Sequence, residues 1–459
     1  MKNELRNSLR NFNINLSLET CHLSLLKGGV FLEKWMVRNV RFDTDKFAQA
    51  MGISNIVAKL LVNRGIYNLD NAKSFLNSSI NELYEPENML GMTGAVELMK
   101  NSIKSGKKIL IVGDYDVDGI TSVTVLKKFL EEQGLKTGEY IPNRLNEGYG
   151  LNKEAVKNIS EQGYTLIITV DCGISCIEEI EYAKELGMEV IVTDHHEPGE
   201  IIPDCLAVVD AKRKDNKYPF NQLAGVGVVF KLIQSISLKL NLEAKEYLKY
   251  LDIVCVGTIS DIVPLIDENR VITKLGLKLV EKTRNIGLKT LLESTGYKEI
   301  NSTTISFGIA PRINACGRMG EEKEALELFL TNNIQEAKQI SERLNQYNIE
   351  RQETEKQIFK QAIQEIEKEN KDVPCIILGK EGWHHGIIGI VASKVTDIYF
   401  KPSILICFEG EEGKGSGRSI PGFDLHDAVM NCNTYVEKFG GHSMAIGINV
   451  KKENFEKFK

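Results

Sequence analysis

The sequence predicts an α/β protein in which a parallel-sheet domain is joined by a long helix to a smaller α/β domain. Three patterns carry that expectation. From about residue 100 to 265, short apolar runs alternate with amphipathic helical stretches, the signature of a parallel sheet covered on both faces. Residues 332–369 contain neither Gly nor Pro and are dense in Glu, Gln, Lys and Arg, which predicts one long helix, or two, with a solvated face. After Pro374 a second strand pattern starts.

Residues 1–31 lie outside these patterns. They are poor in acids, rich in Asn and Ser, and lack the apolar stretch and small-residue cleavage site of a signal peptide. The expectation is an untranslated or disordered leader: Lys27-Gly28-Gly29 reads as the in-frame translation of a ribosome-binding site, with a start at Leu32. Residues 32–95 read as a helical region, through "DTDKFAQAMGISNIVAKLLVNRG" and "NLDNAKSFLN". Residues 96–270 form the sheet domain, with strands expected at "KILIVG", "LIITVD", "EVIVTD", "LAVVD" and "DIVCVGT". Helices such as "SVTVLKKFLEEQG" and "CIEEIEYAKELG" separate them. Residues 271–370 are helical and end in the long connector. Residues 371–459 form the smaller domain, with strands at "CIILG", "SILICF" and "MAIGINV" and a helix at "GIIGIVASKVTDIY".

A chain of 459 residues suffices for two or three domains, each with its own core. No apolar run is long enough to span a bilayer. Nine cysteines sit singly, with no C-x-x-C pair, which suits reduced thiols in a cytoplasmic protein and argues against a structural zinc site. A net charge of −6 argues against a protein that coats nucleic acid, but not against an enzyme acting on it, because an acidic metal site is part of that count.

The chemistry lies where the expected strands end. The first runs into "DYDVDG", with Asp114, Asp116 and Asp118 at alternate positions. The second ends in Asp171, the third in Asp194-His195-His196, and a later one in Asp261. Loops at the carboxyl ends of parallel strands converge on one crevice. Taken singly, an Asp at a strand end is ordinarily a helix cap or turn residue, and paired histidines are a satisfied surface pair. Four such ends together are not explained that way, and four of the seven histidines fall in the pairs 195/196 and 384/385. Like charges crowded together are costly unless compensated. Divalent cations compensate them, and mixed carboxylate and imidazole ligands suit manganese, magnesium or zinc. More than four ligands implies two ions, which can bridge a phosphate and activate water. Nucleotide-cofactor motifs are missing: there is no G-x-G-x-x-G after the first strand and no G-x-x-x-x-G-K-S/T.

"DYDVDG", "VDCG", "DHH" and "GTISDIVPL" resemble, in order, the four motifs of the DHH phosphoesterase superfamily. "IPNRLNEGYG", "PRINACGRM", "GWHHGIIGIVASKV", "GSGRSIPGFDL" and "FGGHSMAIG" resemble, more narrowly, the RecJ family of bacterial single-strand-specific 5′ exonucleases, over about residues 32–459. The resemblance implies two Mn2+ or Mg2+ ions held by Asp114, Asp116, Asp118, Asp171, His195 and Asp261. Where related phosphatases carry a His four residues before Asp116, this chain has Val112, so one ion is expected to bind more weakly or to lean on Asp114. It further implies that Asp171 and His196 are catalytic, with His196 on the scissile phosphate and Asp194 orienting an imidazole. Residues 371–459 resemble a DHHA1 domain. Arg144, Arg312, Asn314, Arg318, Arg418 and Ser419 are the candidates for the DNA backbone and 5′ phosphate, and His385 and His442 for the terminal nucleotide. The glycines of "GSGRS" and "FGGH", Gly441 among them, would let backbone N–H groups approach phosphate.

The implied activity is 5′→3′ hydrolysis of single-stranded DNA to 5′ mononucleotides in DNA repair and recombination, by a monomeric cytoplasmic bacterial enzyme. A helicase and a single-strand-binding protein would supply the substrate. RecJ proteins usually continue into an OB-fold-like domain, absent before Lys459, so an intact active site with weaker grip on long DNA is expected. The alternative is an oligonucleotide or cyclic-dinucleotide phosphodiesterase of the same superfamily, whose first motif is nearer "NPDGD". A non-enzymatic relative acting as a replication scaffold ranks last, because the ligand set is complete.

Overall fold

The computed structural model describes residues 41–144, 147–148, 150–368 and 373–459. The expectation for residues 1–31 lies outside the described residues. The chain divides into two compact units, the first ending at Leu83 and the second running from Tyr84 to Lys459.

In the first unit, helices α1 (Thr44–Met51), α2 (Asn55–Asn63) and α3 (Leu69–Asn77) pack around Phe47, Leu61, Val62 and Ile66. Each helix starts on a side chain that accepts a backbone N–H in the first turn: Asp43, Ser54 and Asn68.

The second unit opens with α4 (Met92–Ser105) and continues through a β/α alternation. In order these are β1 (Lys108–Gly113), α5 (Val117–Glu132), β2 (Lys136–Tyr140), α6 (Lys153–Glu161), β3 (Leu166–Val170), α7 (Ile177–Glu185), β4 (Glu189–Thr193), β5 (Ala207–Val209) and α8 (Gly225–Lys239). The five strands form one parallel sheet in the order β2-β1-β3-β4-β5. Parallel pairing needs long crossovers, which are helices except between β4 and β5, and these helices cover both faces. Leu110, Val112, Ile167, Val190 and Val192 pack against Val156, Ile159 and Ile180 of α6 and α7 on one side. Helices α5 and α8 pack on the sheet and on each other.

Two features differ from the sequence expectation. "DIVCVGT" is the helix α10 (Leu251–Ser260), preceded by the short α9 (Lys245–Leu248) and packed between α5 and α11 (Asp267–Val280). A short apolar run buried on every side has no period by which to distinguish helix from strand. Asp261 therefore caps a helix instead of ending a strand. The edge strand β2, "KTGEY", is polar and half-exposed and carries no apolar alternation.

Helices α12 (Ile286–Thr295), α13 (Ala310–Met319) and α14 (Glu322–Leu330) follow, with a π-helical turn at Thr304–Ile309 feeding α13. The charged segment is one helix of 35 residues, α15 (Ile334–Lys368). It is more than a solvated connector: Ile340, Leu344, Ile358, Ala362 and Ile366 are buried on one face, against α12, α13 and α16.

The last part contains β6 (Ile376–Glu381), α16 (His385–Tyr399), β7 (Ser403–Glu409), β8 (Glu412–Arg418), α17 (Leu425–Met430), β9 (Lys438–His442), β10 (Ala445–Lys451) and α18 (Phe455–Phe458). Its five strands order as β6-β7-β8-β10-β9, with only β6–β7 parallel. The "GSGRS" glycines lie in β8. A Cβ on Gly415 or Gly417 would come within 2.7 Å of Ile448 or Ile446, so these glycines admit apolar neighbours from the sheet. Gly441, at φ +136°, sits in the β9–β10 hairpin, where a Cβ would meet Ala445 O at 2.2 Å. The missing side chains at these glycines thus serve the packing of the sheet itself.

Candidate active site

At the carboxyl edge of the parallel sheet, β1, β3 and β4 deliver Asp114, Asp171 and Asp194-His195-His196. Asp116 is the N-cap of α5, its Oδ1 accepting from Asp118 N at 2.8 Å and Gly119 N at 3.1 Å. Gly119 is required by closeness, since a Cβ there would stand 2.3 Å from Asp114 O. Asp118 accepts from Gly225 N at 2.6 Å and Val226 N at 2.8 Å, the first amides of α8, so a helix N-terminus faces this carboxylate. Asp171 holds its side chain with a left-handed backbone, φ 59°. Asp194 Oδ1 accepts from His195 N at 2.7 Å and pairs with His196 Nδ1 at 2.7 Å, while its Oδ2 accepts from Ile174 N at 2.9 Å.

The fold brings all six expected ligands and His196 together. His195 Nε2 lies 3.1 Å from Asp171 Oδ1 and 3.8 Å from Asp118 Oδ2, and its Nδ1 lies 3.7 Å from Asp261 Oδ2. Three sets of ligand atoms each fall within 4.8 Å of one another: Asp114/Asp116/Asp171, Asp118/His195/Asp261, and Asp171/His195/His196. Asp171 and His195 each belong to two sets, so their contact joins a site on the "DYDVD" loop to a site beside α10.

The electrostatics follow from the crowding of these groups. Burial raises the pKa of Asp114, Asp118 and Asp171, and repulsion from neighbouring carboxylates raises each further. Asp261 rises to about 7, by burial and then by the Asp116 charge. Burial, and then the His196 charge, lower His195 to about 4, which keeps its imidazole neutral and fit to ligate a metal. Burial opposes charge on His196, but its bond to Asp194 overrides burial and raises it to about 9. The donor set fits hard divalent cations: carboxylate oxygens and a neutral imidazole, with Asp114 Oδ1 buried and lacking a hydrogen-bond partner among the described residues.

A second cluster is cationic. The Arg144 guanidinium lies over the Tyr115 ring, 4.7 Å from its centroid. Arg318, at the end of α13, donates to Gly386 O at 3.0 Å. Burial, and then the charges of Arg144, Arg351 and Arg418, lower its pKa to about 9. Arg418 on β8 donates to Ser416 Oγ at 3.1 Å and Gly417 O at 2.7 Å. His385 opens α16, and burial followed by the Lys414 and Arg144 charges lower it to about 4. Three arginines from three segments thus hold hydrogen bonds or ring contacts with neutral groups, an arrangement suited to an anion.

The remaining candidates sit differently. Arg312 donates to Gly308 O at 2.6 Å and to Asn345, which commits it to α15. Ser419 Oγ donates to Phe423 O at 2.8 Å. Asn314 is half-buried on α13. His442 is exposed, with Nδ1 accepting from Met444 N at 3.3 Å. Sequence reasoning missed Ser416, which sits with Arg418; Tyr115, which underlies Arg144; and Arg351, hidden in the charge run of α15. Only Arg351 carried a signal, its i,i+4 spacing from Glu355, to which it bonds at 2.6 Å.

A model of the DHH family, N-terminal domain, matches residues 108–258, and a model of the DHHA1 domain matches residues 372–459. Fold and site together are those of the DHH class. The single-stranded-DNA-specific exonuclease RecJ of Bacillus subtilis (strain 168) is 41% identical over 428 residues, covering 92% of this chain and 53% of the relative. That of Salmonella typhimurium is 33% identical, covering 88% of this chain and 73% of the relative. The chain belongs to the RecJ family. It spans about half the length of the Bacillus relative. RecJ of Thermus thermophilus in complex with Mn2+ superposes with a TM-score of 0.79 at 31% identity, over 90% of this chain and 59% of that one. An exonuclease RecJ bound to manganese superposes with a TM-score of 0.74 at 34% identity, over 81% of this chain and 92% of that one.

Proposed function

We propose that this chain hydrolyses single-stranded DNA from the 5′ end, releasing 5′ mononucleotides. The observation that carries the reading is the juxtaposition of two linked acidic and histidine ligand sets with arginines from the loop after β2, from α13 and from β8. Asp114, Asp116 and Asp171 would hold one divalent cation and Asp118, His195 and Asp261 the other, with Asp171 and His195 at the junction. Bound there, Mn2+ or Mg2+ would neutralise phosphate charge and lower the pKa of water. His196, kept protonated by Asp194, would donate to a non-bridging phosphate oxygen and stabilise charge as the bond breaks. Arg144, Arg318 and Arg418 would hold the 5′ phosphate and set which bond reaches the ions. Repair and recombination in the bacterial cytoplasm is the proposed setting, with a helicase and a single-strand-binding protein supplying the strand. Among the described residues no helix is long and apolar enough to cross a membrane.

The test is cleavage, with Mn2+, of a 5′-labelled strand, the same strand 3′-labelled, and its duplex. Immediate release of a labelled mononucleotide from the 5′ end of the single strand alone, lost in Asp171→Ala, is expected. Turnover of short oligonucleotides or a cyclic dinucleotide, with long strands untouched, would replace this reading with that of a small-substrate phosphodiesterase.

A further inference from the structure

The metal loop and the last domain are separated, at one place, by only two residues. Gly317 and Arg318 at the end of α13 lie between Tyr115, in the loop of metal ligands, and Gly386, in the first turn of α16. A Cβ on Gly317 would stand 2.9 Å from Tyr115 O. A Cβ on Gly386 would stand 2.4 Å from Arg318 O, and 3.2 and 3.3 Å from the carbonyl carbon and Cα of Arg318. These neighbours are backbone and cannot rotate aside. Gly386 also aims the arginine, because its carbonyl accepts from Arg318 Nη1 at 3.0 Å. Arg318 is thus gripped through its main chain and its guanidinium by one glycine of another domain. A further tie crosses nearby: Asn143 Nδ2, beside Arg144, donates to Gly320 O at 3.2 Å and to Glu322 Oε1 at 3.0 Å.

We propose that Gly386 is a positioning residue for the phosphate-binding arginines, and through them for the strand. Having no side chain, it lets α16 seat directly on Arg318 and fixes the spacing of the arginines from the metal loop. The inference rests on the functional reading above. An ordinary contact begins near 3.4 Å, so a methyl at Gly386 requires about 1 Å of separation. A displacement of about 1 Å in a positioned group costs on the order of 100-fold.

The test uses the full chain with Mn2+ and two substrates: a 5′-phosphorylated single strand and the small diester bis(p-nitrophenyl) phosphate, which has one phosphate and no second one for the arginines to hold. Gly386→Ala is expected to lose roughly 30- to 100-fold in kcat/KM on the strand. It should also lose the preference for a 5′-phosphate over a 5′-hydroxyl end. Turnover of the small diester should stay near wild type, while the melting temperature falls by only a few degrees. In an Arg318→Gln background the same substitution should cost clearly less than in the wild type, because part of the effect runs through that side chain. Gly447→Ala, with nothing within 4 Å of its Cβ, is the neutral control. Should Gly386→Ala fail to fold, Gly317→Ala, with its milder overlap, decides: a loss on the strand with the small diester unchanged supports the proposal, and no loss or equal losses on both overturn it. Wild-type kinetics in Gly386→Ala, equal losses on both substrates, or a full loss persisting in the Arg318→Gln background would each overturn it. A wild-type protein inert on both substrates would instead overturn the functional reading, and this inference with it.

Discussion

Asp116 and Asp118 each accept two backbone N–H groups, so their carboxylates are aimed before any ion arrives. Asp194 has the complementary task of aiming others: it fixes the His195 and His196 backbone and holds the His196 ring. Replacing it by Asn keeps the shape and removes the charge. Asp194→Asn should lower Mn2+ affinity or kcat by about 10- to 100-fold, and an NMR titration should find the His196 pKa below the wild-type value. An unchanged His196 titration would mean that Asp194 is not its partner in solution. The crowded carboxylates also fix a sign for pH. Their folded-state pKa values are raised, so the metal-free protein holds protons more tightly than the unfolded chain does. That contribution is complete below the ordinary range near 4 and is lost as pH rises through the folded values, Asp261 at about 7 among them. Mn2+ needs the deprotonated forms. The rise in melting temperature on adding Mn2+ should therefore be larger at pH 8 than at pH 5.5. A rise independent of pH would exclude these carboxylates as the ligands.

Among the elements, α8 and α11 are joined by a buried ion pair. Lys231 Nζ and Glu268 Oε1 lie 3.0 Å apart with both side chains fully buried. Lys231 also donates to Tyr84 O at 2.5 Å, and Glu268 accepts from Tyr218 Oη at 2.6 Å and Tyr84 N at 3.0 Å. The pair pins the start of α11, six residues after Asp261. Lys231→Met should destabilise by about 3–5 kcal/mol, because Glu268 is left charged and buried, and the double change Lys231→Met with Glu268→Leu should recover most of it. Denaturant titration of the three variants measures this, and a double variant no more stable than the single would show that the network acts through the tyrosines. Glu355 does similar work between α15 and α16. Burial opposes its charge, yet hydrogen bonds to Lys394 and Arg351 hold its carboxyl below the ordinary range.

For the molecule as a whole, the arginines make a prediction that the metal centre does not. Three or four phosphate contacts, at about 0.7 each on a single strand, give a log–log salt slope of about −2 to −3 for strand affinity. KM measured across an ionic-strength series should follow that slope for the strand and stay flat for the small diester. A flat strand series would mean that the arginines do not hold phosphate.

Much of this was legible in the sequence. The strands β1, β3 and β4 are continuous apolar runs ended by acids, because buried parallel strands tolerate nothing polar until they reach the crevice. That pattern located the α/β class and the residues of the ligand sets other than Asp261, which follows a helix that reads as a strand. The second domain, too, announced itself as a fresh strand pattern after Pro374. What was not legible depended on which groups become neighbours. α10 and an apolar strand have the same composition, and only packing against α5 and α11 makes it a helix. β8 is too rich in glycine to show alternation, and its glycines became readable once Ile406, Ile446 and Ile448 stood against them. The charged face of α15 hid Arg351, and nothing local separated Arg318, at the cluster, from Arg312, tied to Asn345. The sequence by itself determined the ligand chemistry and the strand ends that carry it, because residue type and period are local properties. Only the tertiary structure decided which arginines gather and how closely two domains meet across Gly317 and Gly386, because those are distances between segments far apart along the chain.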